Sequence, residues 1–308
     1  MTETPSTATP GKVGQRIGLI GAGRMGTGIG ISLLRHGTEL HIKVNRTRVG
    51  AERLTGMGAH EHTAISELAR HVSAVVLSLP SSCEVEKVCL GQHGLFAHLP
   101  RQSLILDCTT SYPASTLTLA EQAKKHALHF IDAPVTRSPE QAEQGRLNAI
   151  VGSDQNTFPI AARVLTAFCE NIVHVGDIGQ GHKLKLVYNS MTMGMAAVVA
   201  EACQLADAVD VDLATLRSLV SRGATNSGIF QNFAAFLLDE KPDALAISIR
   251  NAKKDIHCGV RLANETALKV PVLTAAAQKF QTCVAEGKGE LTLPHLALSS
   301  RDDESRQN

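Results

Sequence analysis

Short apolar runs recur along the first half of the chain, and segments with helical spacing separate them. Apolar runs of this length predict buried strands, and amphipathic segments predict helices. Because strands separated by helices connect by right-handed crossovers, this order predicts a mainly parallel, doubly wound sheet. The predicted strands are 16–20, 39–44, 74–79, 103–107, 129–132, 147–151 and 172–175, and the predicted helices include 27–35, 83–90, 113–125 and 155–168.

The pattern changes after Gly181, and only helical spacing follows. We therefore expect an α/β domain at 13–180 and an all-helical domain at 181–298, the second built on a long central helix. The polar segments 1–12 and 299–308 lack apolar anchors, and we expect them to be flexible tails. The predicted helices are 182–209, 213–220, 229–238, 247–265 and 271–286.

A glycine motif follows the first predicted strand. Gly21-Ala22-Gly23-Arg24-Met25-Gly26 lies between this strand and an amphipathic helix, which is the arrangement of a dinucleotide-binding Rossmann fold. Gly21 permits a tight turn and Gly23 lets the backbone approach a pyrophosphate, while the helix N-terminus attracts its charge. We predict cofactor contacts at residues 21–25. The alternative is a glycine-rich turn that binds nothing.

The end of the second predicted strand bears on the choice of cofactor. NAD sites place an acidic residue here for the ribose 2′-hydroxyl, whereas this chain has Asn45-Arg46-Thr47. A guanidinium binds a 2′-phosphate bidentately, and a carboxylate would repel it. The segment predicts NADP, with NAD still possible, unless Asn45 or Thr47 only caps the following helix.

Ligands of doubly wound sheets bind beyond the carboxyl ends of the strands. The loops that begin at Pro80, Thr109 and Thr136 follow three of the predicted strands. We therefore expect these loops to face the cofactor.

Lys185 and Asn189 lie four residues apart at the start of the long helix, so they share one helical face. Oxidation of a hydroxyl to a carbonyl releases a hydride to a nicotinamide and a proton to a base. A partly desolvated lysine has a pKa lowered towards neutrality and serves as that base, or as the acid in reverse. Asn189 would orient the substrate or hold the lysine. The alternative is an ordinary surface lysine.

Several motifs in this order resemble the β-hydroxyacid dehydrogenase family, which includes 3-hydroxyisobutyrate, 6-phosphogluconate and tartronate-semialdehyde enzymes. The resemblance covers about residues 15–290. It implies that Lys185 and Asn189 are the catalytic pair, that Leu79, Pro80, Thr109 and Lys254 lie near the nicotinamide, and that the protein is a homodimer or homotetramer. The motifs are 21–26, Asp107-Cys108-Thr109-Thr110 with Pro113, Asp132-Ala133-Pro134-Val135 with Gly145 and Val151-Gly152, Gly179-x-Gly181-x-x-x-Lys185-x-x-x-Asn189, and Lys254-Asp255.

Two positions depart from the family pattern. The family commonly has Ser-Gly-Gly after Asp-Ala-Pro-Val to hold a substrate carboxylate, whereas this chain has Thr136-Arg137-Ser138. A guanidinium here suits a carboxylate, sulfonate or phosphate, and the loop resembles that of sulfolactaldehyde reductases. The alternative is an Arg137 that turns to solvent or pairs with Glu140 or Glu143. Tyr188 replaces an asparagine found in many relatives.

Other candidates for chemistry are weaker. His182 and His257 have no acidic partner at catalytic spacing in the sequence, so we expect structural roles for them. Cys108 has no activating histidine beside it, which argues against a nucleophile. Asp255 would orient Lys254 or form an exposed pair with it.

Composition narrows the classes of partner. The chain has 308 residues, and its 30 Lys plus Arg nearly balance 29 Asp plus Glu, so charge does not favour nucleic acid or a membrane surface. The most apolar run, 191–200, is too short to span a bilayer before Glu201. Seven scattered cysteines without ligand spacing argue against a disulfide framework and a metal site. With no apolar signal segment at the start, we expect a cytoplasmic protein.

Together these observations predict an NAD(P)-dependent oxidoreductase that acts on a small anionic β-hydroxy acid or its semialdehyde. Two other functions remain open. One is reduction of another carbonyl or an imine on the same scaffold, although related imine reductases generally lack the lysine. The other is a non-catalytic NADP-binding interaction module, which is expected to lose Lys185 or Asn189.

Overall fold

The computed structural model describes residues 16–44 and 48–298. The chain divides into two compact units between Lys183 and Leu184. The predicted tails at 1–12 and 299–308 and the predicted 2′-phosphate segment Asn45-Arg46-Thr47 lie outside the described residues.

The first unit contains one twisted sheet whose described strands number nine. The first six are all parallel and lie in the order β3-β2-β1-β4-β5-β6, which is the order of doubly wound nucleotide-binding sheets. Strand β8 then pairs antiparallel with β6 and β7 and parallel with β9. The predicted fold class is confirmed. The strands are Arg16–Ile20 (β1), Glu39–Lys43 (β2), His60–Glu61 (β3), Ala74–Leu77 (β4), Leu104–Asp107 (β5), His129–Asp132 (β6), Val135–Thr136 (β7), Leu147–Gly152 (β8) and Cys169–Gly176 (β9).

Apolar side chains cover both faces of this sheet. Successive residues alternate between two cores, so that Val75 packs in one and Val76 in the other. Strands buried on both faces have continuous apolar runs, as the sequence shows. The helices of this unit are Arg24–Arg35 (α1), Arg48–Gly56 (α2), Ile65–His71 (α3), Ser82–Cys89 (α4), Leu95–His98 (α5), Pro113–Lys125 (α6), Pro139–Glu143 (α7) and Phe158–Leu165 (α8).

The described part of the second unit is helical, apart from one isolated bridge between Ser248 and Thr292. Helix α9 buries a row of small and apolar residues that includes Met193, Ala196 and Ala200. The helices of the second unit are Gln180–Ala208 (α9, which begins in the first unit), Leu213–Val220 (α10), Gly228–Leu238 (α11), Ile249–Glu265 (α12) and Pro271–Ala285 (α13). The 3-10 turns Lys288–Glu290 and Leu293–Ala297 follow them.

Several predicted boundaries were wrong for local reasons. The helix expected from Gln155 begins at Phe158, because the Asp154 carboxylate accepts from the backbone N–H of Asn156 and Thr157 and forms a turn there. The short elements β3, β7, α2, α3, α5 and α7 were not predicted, since two to nine residues give little periodicity.

Helix α9 is longer than its apolar run suggested. By length and composition it could cross a membrane, with a mean hydropathy of 1.2 over its most apolar 18 residues. The expectation that this segment is too short is therefore wrong. Central helices of globular domains meet the same criterion, and 44% of that window is buried within the protein.

Candidate active site

The glycine motif forms the turn between β1 and α1. Gly21 has a φ of 103°, and a Cβ there would lie 2.2 Å from the Ser78 carbonyl oxygen. A Cβ on Gly26 would lie 1.8 Å from the Gly21 carbonyl oxygen. A Cβ on Gly23, by contrast, would meet no atom within 4 Å. The packing excludes side chains at Gly21 and Gly26 and leaves open space over Gly23.

This turn fits a dinucleotide. Gly23 and Arg24 are exposed, Ala22 is buried, and Met25 is half-buried. The first turn of α1 carries no acidic side chain and has no side-chain cap, so its backbone N–H groups and the positive end of its dipole are offered to phosphate. The residues present therefore suit a pyrophosphate.

The loops after β4 and β5 are joined by hydrogen bonds at the carboxyl edge of the sheet. The backbone N–H of Leu79, which precedes Pro80, donates to the Thr109 hydroxyl at 3.1 Å. The backbone N–H of Thr109 donates to the Asp107 carboxylate at 3.0 Å, and the Ser111 hydroxyl donates to its other oxygen at 2.8 Å. Two of the predicted cofactor loops are thus held together where such sheets bind ligands.

His182 lies buried beside these loops. Its Nε2 is 2.9 Å from the Thr109 carbonyl oxygen, and its Nδ1 is 2.7 Å from the Thr116 hydroxyl. The ring also lies within 4 Å of two buried carboxylates, at 3.8 Å from Asp107 and 3.9 Å from Asp132. The sequence indicated no acidic partner because both are more than 45 residues away, but the structural role predicted for His182 agrees with its full burial.

Asp132 holds the beginning of α9 in the first unit. Its two oxygens accept from the backbone N–H groups of Gly179 and His182 at 2.7 and 2.8 Å. Burial raises the pKa of Asp132, and His182 and these N–H groups oppose the shift. Asp132 belongs to a sequence motif that did not indicate its role; in the structure it caps the N-terminus of α9.

The 136–138 loop makes contacts of its own. Thr136 is buried and its hydroxyl accepts from the Asn148 amide at 3.1 Å. The Ser138 hydroxyl accepts from the backbone N–H of Gln141 and caps α7. Arg137 has a φ of 84°, which is a conformation that favours glycine. Arg137 therefore has a backbone conformation suited to glycine, the residue that the resembled family commonly has at this position.

The Arg137 side chain has an acidic partner that the sequence did not indicate. Its Nη1 donates to the Glu170 carboxylate and, at 2.6 Å, to the Arg146 carbonyl oxygen. The alternative pairing with Glu143 is wrong, because Glu143 binds Arg53 at 2.5 Å.

Lys185 lies in the second unit and is 8% exposed. Burial lowers its pKa from 10.5 to about 8; the negative charge of Asp255 opposes this shift, and Lys254 adds to it. The ammonium lies 5.5 Å from the centre of the Tyr188 ring. This lysine is buried with a lowered pKa, so it is not the solvated surface residue considered as the alternative.

Asn189 and Asp255 connect α9 to α12 beside this lysine. The Asn189 amide donates to the Asp255 carboxylate at 2.7 Å, and Lys254 lies 3.0 Å from the other oxygen. Asn189 and Asp255 are both 5% exposed, so the exposed pair considered for Asp255 is wrong. Asp255 is the residue that sequence reasoning undervalued, because its contact with Asn189 spans 66 residues.

Lys254 faces a groove on α12. The groove has a volume of about 430 Å³, and its other lining residues include Arg250, Lys253 and Arg261. Three of these four cations pair with neighbouring carboxylates, so the groove carries little uncompensated positive charge.

The remaining candidates show no feature of an activated catalytic group. Burial raises the pKa of the Cys108 thiol well above its usual range, so it is not an activated nucleophile. The exposed His257 bonds to the Lys253 carbonyl oxygen one turn earlier on α12. Across residues 16–44 and 48–298, no three His, Cys, Asp or Glu side chains are placed to hold a metal ion.

Known proteins share both units of this chain. Residues 16–176 match the NAD-binding domain of 6-phosphogluconate dehydrogenase, and residues 179–296 match the NAD-binding domain of NADP-dependent 3-hydroxyisobutyrate dehydrogenase. The 2-hydroxy-3-oxopropionate reductase of Escherichia coli is 26% identical over 92% of this chain and 95% of its own length. The 3-sulfolactaldehyde reductase of Escherichia coli is 26% identical over 89% of this chain and 91% of its own length.

Two further comparisons extend this likeness. A probable mitochondrial 3-hydroxyisobutyrate dehydrogenase of Dictyostelium discoideum is 34% identical, over 61% of this chain and 59% of that protein. The structure of 3-hydroxyisobutyrate dehydrogenase from Salmonella typhimurium has the same fold, with a TM-score of 0.84 and 22% identity over 92% of this chain and 99% of that one. The chain therefore belongs to the β-hydroxyacid dehydrogenase family and is an NAD(P)-dependent oxidoreductase.

Proposed function

We propose that this enzyme interconverts a small anionic β-hydroxy acid and the matching semialdehyde or keto acid, with Lys185 as the general acid and base. The observation that carries the proposal is the burial of Lys185, which lowers its pKa to about 8. A general acid or base is most efficient when its pKa lies near the working pH, because both protonation states are then accessible.

The residues divide the work of the reaction. A bound nicotinamide supplies the hydride acceptor or donor. Lys185 takes the hydroxyl proton during oxidation and returns it during reduction. Asn189 is fixed by its bond to Asp255, and its amide positions the reacting oxygen. The charge of Asp255 opposes complete deprotonation of the lysine, so the acid form persists at neutral pH.

The 136–138 loop supports an anionic substrate. Only Nη1 of Arg137 takes part in the bonds to Glu170 and Arg146 described above. The planar guanidinium has further donors on Nη2 and Nε, and we assign these, with Thr136 and Ser138, to the substrate anion. The relatives named for 2-hydroxy-3-oxopropionate and 3-sulfolactaldehyde point the same way, since these compounds carry a carboxylate and a sulfonate.

We assign the cofactor as NADP(H) in preference to NAD(H). The support is the sequence Asn45-Arg46-Thr47, which offers a guanidinium where NAD enzymes have a carboxylate. Replacement of Arg46 by Ala should reduce the preference for NADPH over NADH about tenfold or more, as a charge-assisted bidentate contact is lost. An unchanged ratio of kcat/KM for the two cofactors would remove this assignment.

One other reaction has a structural parallel. An imine reductase from Myxococcus stipitatus has a related fold, with a TM-score of 0.57 and 16% identity over 92% of this chain. This likeness shows the fold alone. A buried lysine of lowered pKa favours the hydroxy acid reaction, in which a proton moves to or from oxygen.

The test is a spectrophotometric screen of NADPH and NADH oxidation with sulfolactaldehyde and with succinic, methylmalonic and tartronic semialdehydes. Substrates are then compared in the wild type and in Lys185→Ala, for which kcat should fall by roughly 10² to 10⁴. Near-normal turnover in this variant would remove the proton role. NADPH binding without turnover of any acid, aldehyde or imine would support a non-catalytic module instead.

We also propose that two copies of the chain associate through α9. Exposed apolar residues recur along this helix at alternating intervals of three and four, including Met191, Met195, Val198 and Leu205. This spacing is the seam of a coiled coil, which fits a second copy of the same helix.

A further inference from the structure

His182 is fixed at its backbone and at both ends of its ring. The Asp132 carboxylate accepts from its backbone N–H at 2.8 Å. Thr116 on α6 binds Nδ1, and the Thr109 carbonyl binds Nε2. The side chain is completely buried. All of these partners belong to the first unit, so the ring has one orientation there.

The hydrogen-bond chemistry fixes the direction of one of these contacts. A carbonyl oxygen only accepts, so His182 Nε2 carries the proton and donates to Thr109 at 2.9 Å. A buried carbonyl that loses such a donor is left unsatisfied at a substantial cost in free energy. The position of the Thr109 backbone therefore depends on this imidazole.

Thr109 is held at every backbone polar group and at its hydroxyl. Its N–H is bound by Asp107, its carbonyl by His182, and its hydroxyl accepts from the Leu79 N–H. A hydroxyl that accepts still has its own proton to donate to another group. The loop that contains Thr109 is thus constrained beyond the carboxyl end of β5, where it would meet the cofactor.

We propose that His182 is a positioning residue for the nicotinamide end of the cofactor, acting through the Thr109 carbonyl. This inference rests on the proposed function for NADP(H) as the cofactor, and on the family resemblance for the expectation that Thr109 lies near the nicotinamide. In this role His182 fixes the Thr109 carbonyl, which a residue that only fills space in the core would not do.

The test compares two ligands that share the adenosine end of the cofactor. NADPH includes the nicotinamide, whereas adenosine 2′,5′-bisphosphate lacks it. Isothermal titration of the full chain should show that His182→Leu weakens NADPH binding roughly fivefold to tenfold. Binding of adenosine 2′,5′-bisphosphate should change less than twofold. His182→Gln should recover most of the NADPH affinity, because its amide can donate to the same carbonyl.

A matched control removes a similar bond elsewhere in the first unit. His174 on β9 has its Nε2 2.8 Å from the carbonyl oxygen of Ser153, the residue that follows β8. His174→Leu should leave both affinities unchanged. If His182→Leu fails to fold, His182→Gln and His182→Asn replace it, since the shorter Asn amide does not reach Thr109 and should lose NADPH affinity selectively.

The outcomes separate this inference from the proposed function. If His182→Leu weakens both ligands equally, or weakens neither, the positioning role is overturned while the NADP assignment stands. If wild type binds adenosine 2′,5′-bisphosphate and NADPH equally well, Thr109 makes no productive nicotinamide contact and the inference fails. If wild type binds neither ligand, the NADP assignment fails first.

Discussion

Arg137 and Glu170 form an ion pair that joins the 136–138 loop to strand β9. The arginine holds a φ of 84° while it makes this contact. A non-glycine residue in this region costs of order 1 kcal/mol or more, and such strain persists where surrounding contacts determine it. The pair therefore both retains the loop conformation and aims the guanidinium, and the two effects can be separated by experiment.

Arg137→Ala should raise KM for an anionic substrate about tenfold or more, because a charge-assisted contact is lost. Glu170→Gln should raise KM by a smaller factor, since the charge that aims the guanidinium is removed while the side chain keeps its size. A KM that neither change alters would mean that the pair only fastens the loop to β9. In that case both variants would alter thermal stability alone.

The pH dependence of turnover should follow Lys185, whose pKa is about 8. Reduction requires the protonated lysine, so kcat/KM should be constant below pH 8 and fall tenfold per unit above it. Oxidation requires the neutral lysine, so kcat/KM should rise tenfold per unit up to about pH 8 and then level off. The same break in Lys185→Arg, whose guanidinium stays charged, would assign the titration to another group.

Asp255→Asn should move this break to a lower pH. The negative charge of Asp255 raises the pKa of Lys185 against the effect of burial, so its removal should lower that pKa and move the break with it. Glu201→Gln is the control, because Glu201 is an exposed carboxylate of α9 that pairs with Lys279. The role of Asp255 would be contradicted if both variants shifted the break equally or not at all.

The extent to which the sequence predicted this site depended on how far apart the partners lie in the chain. The tight turn at Gly21 follows from local backbone requirements, and Lys185 and Asn189 share a face because they are one helical turn apart. No local pattern places Asp255 beside Asn189, since the contact depends on how α12 packs against α9.

A glycine lies where the two helices approach each other. A Cβ on Gly259 would lie 2.0 Å from the Ser190 hydroxyl oxygen, so α12 approaches α9 through a glycine whose importance the sequence did not reveal. The same limit applies to Glu170, which lies 33 residues from Arg137 on a strand edge. Such contacts follow from tertiary structure, and sequence spacing alone does not predict them.

A cluster of histidines on and beside β2 and β3 should make stability depend on pH. His41 Nδ1 lies 2.8 Å from His62 Nε2, and His60 and His71 have ring centres 5.1 and 5.4 Å from that of His41. Burial lowers the pKa of His41, Glu39 opposes the shift, and His62 and His60 add to it. Glu67 faces His62 at 3.5 Å.

A lowered pKa in the folded state means that unfolding takes up a proton in mildly acidic solution. The stabilising contribution is therefore present above pH 6.5, the unfolded value, and is lost as the pH falls through the folded value. One such proton changes the free energy of unfolding by up to about 1.4 kcal/mol per pH unit. When the free energy of unfolding is measured with denaturant between pH 7.5 and 5.5, its change with pH should be smaller for His41→Phe than for wild type. The exposed His93→Phe should keep the full slope, and equal slopes for all three proteins would refute this account.

Self-association through α9 can be tested at Leu205, which is 63% exposed on the apolar row. Leu205→Glu would place a charge in the seam between two copies, and burial of an unpaired charge costs several kcal/mol. Light scattering after gel filtration should therefore show a dimer for wild type and a dissociation constant at least about 100-fold larger for the variant. Leu219→Glu is the matched control, because Leu219 is 73% exposed on α10, outside the row, and it should leave the dimer intact. A monomeric wild type, or a row that binds lipid vesicles in flotation instead of a second copy, would contradict the proposed association.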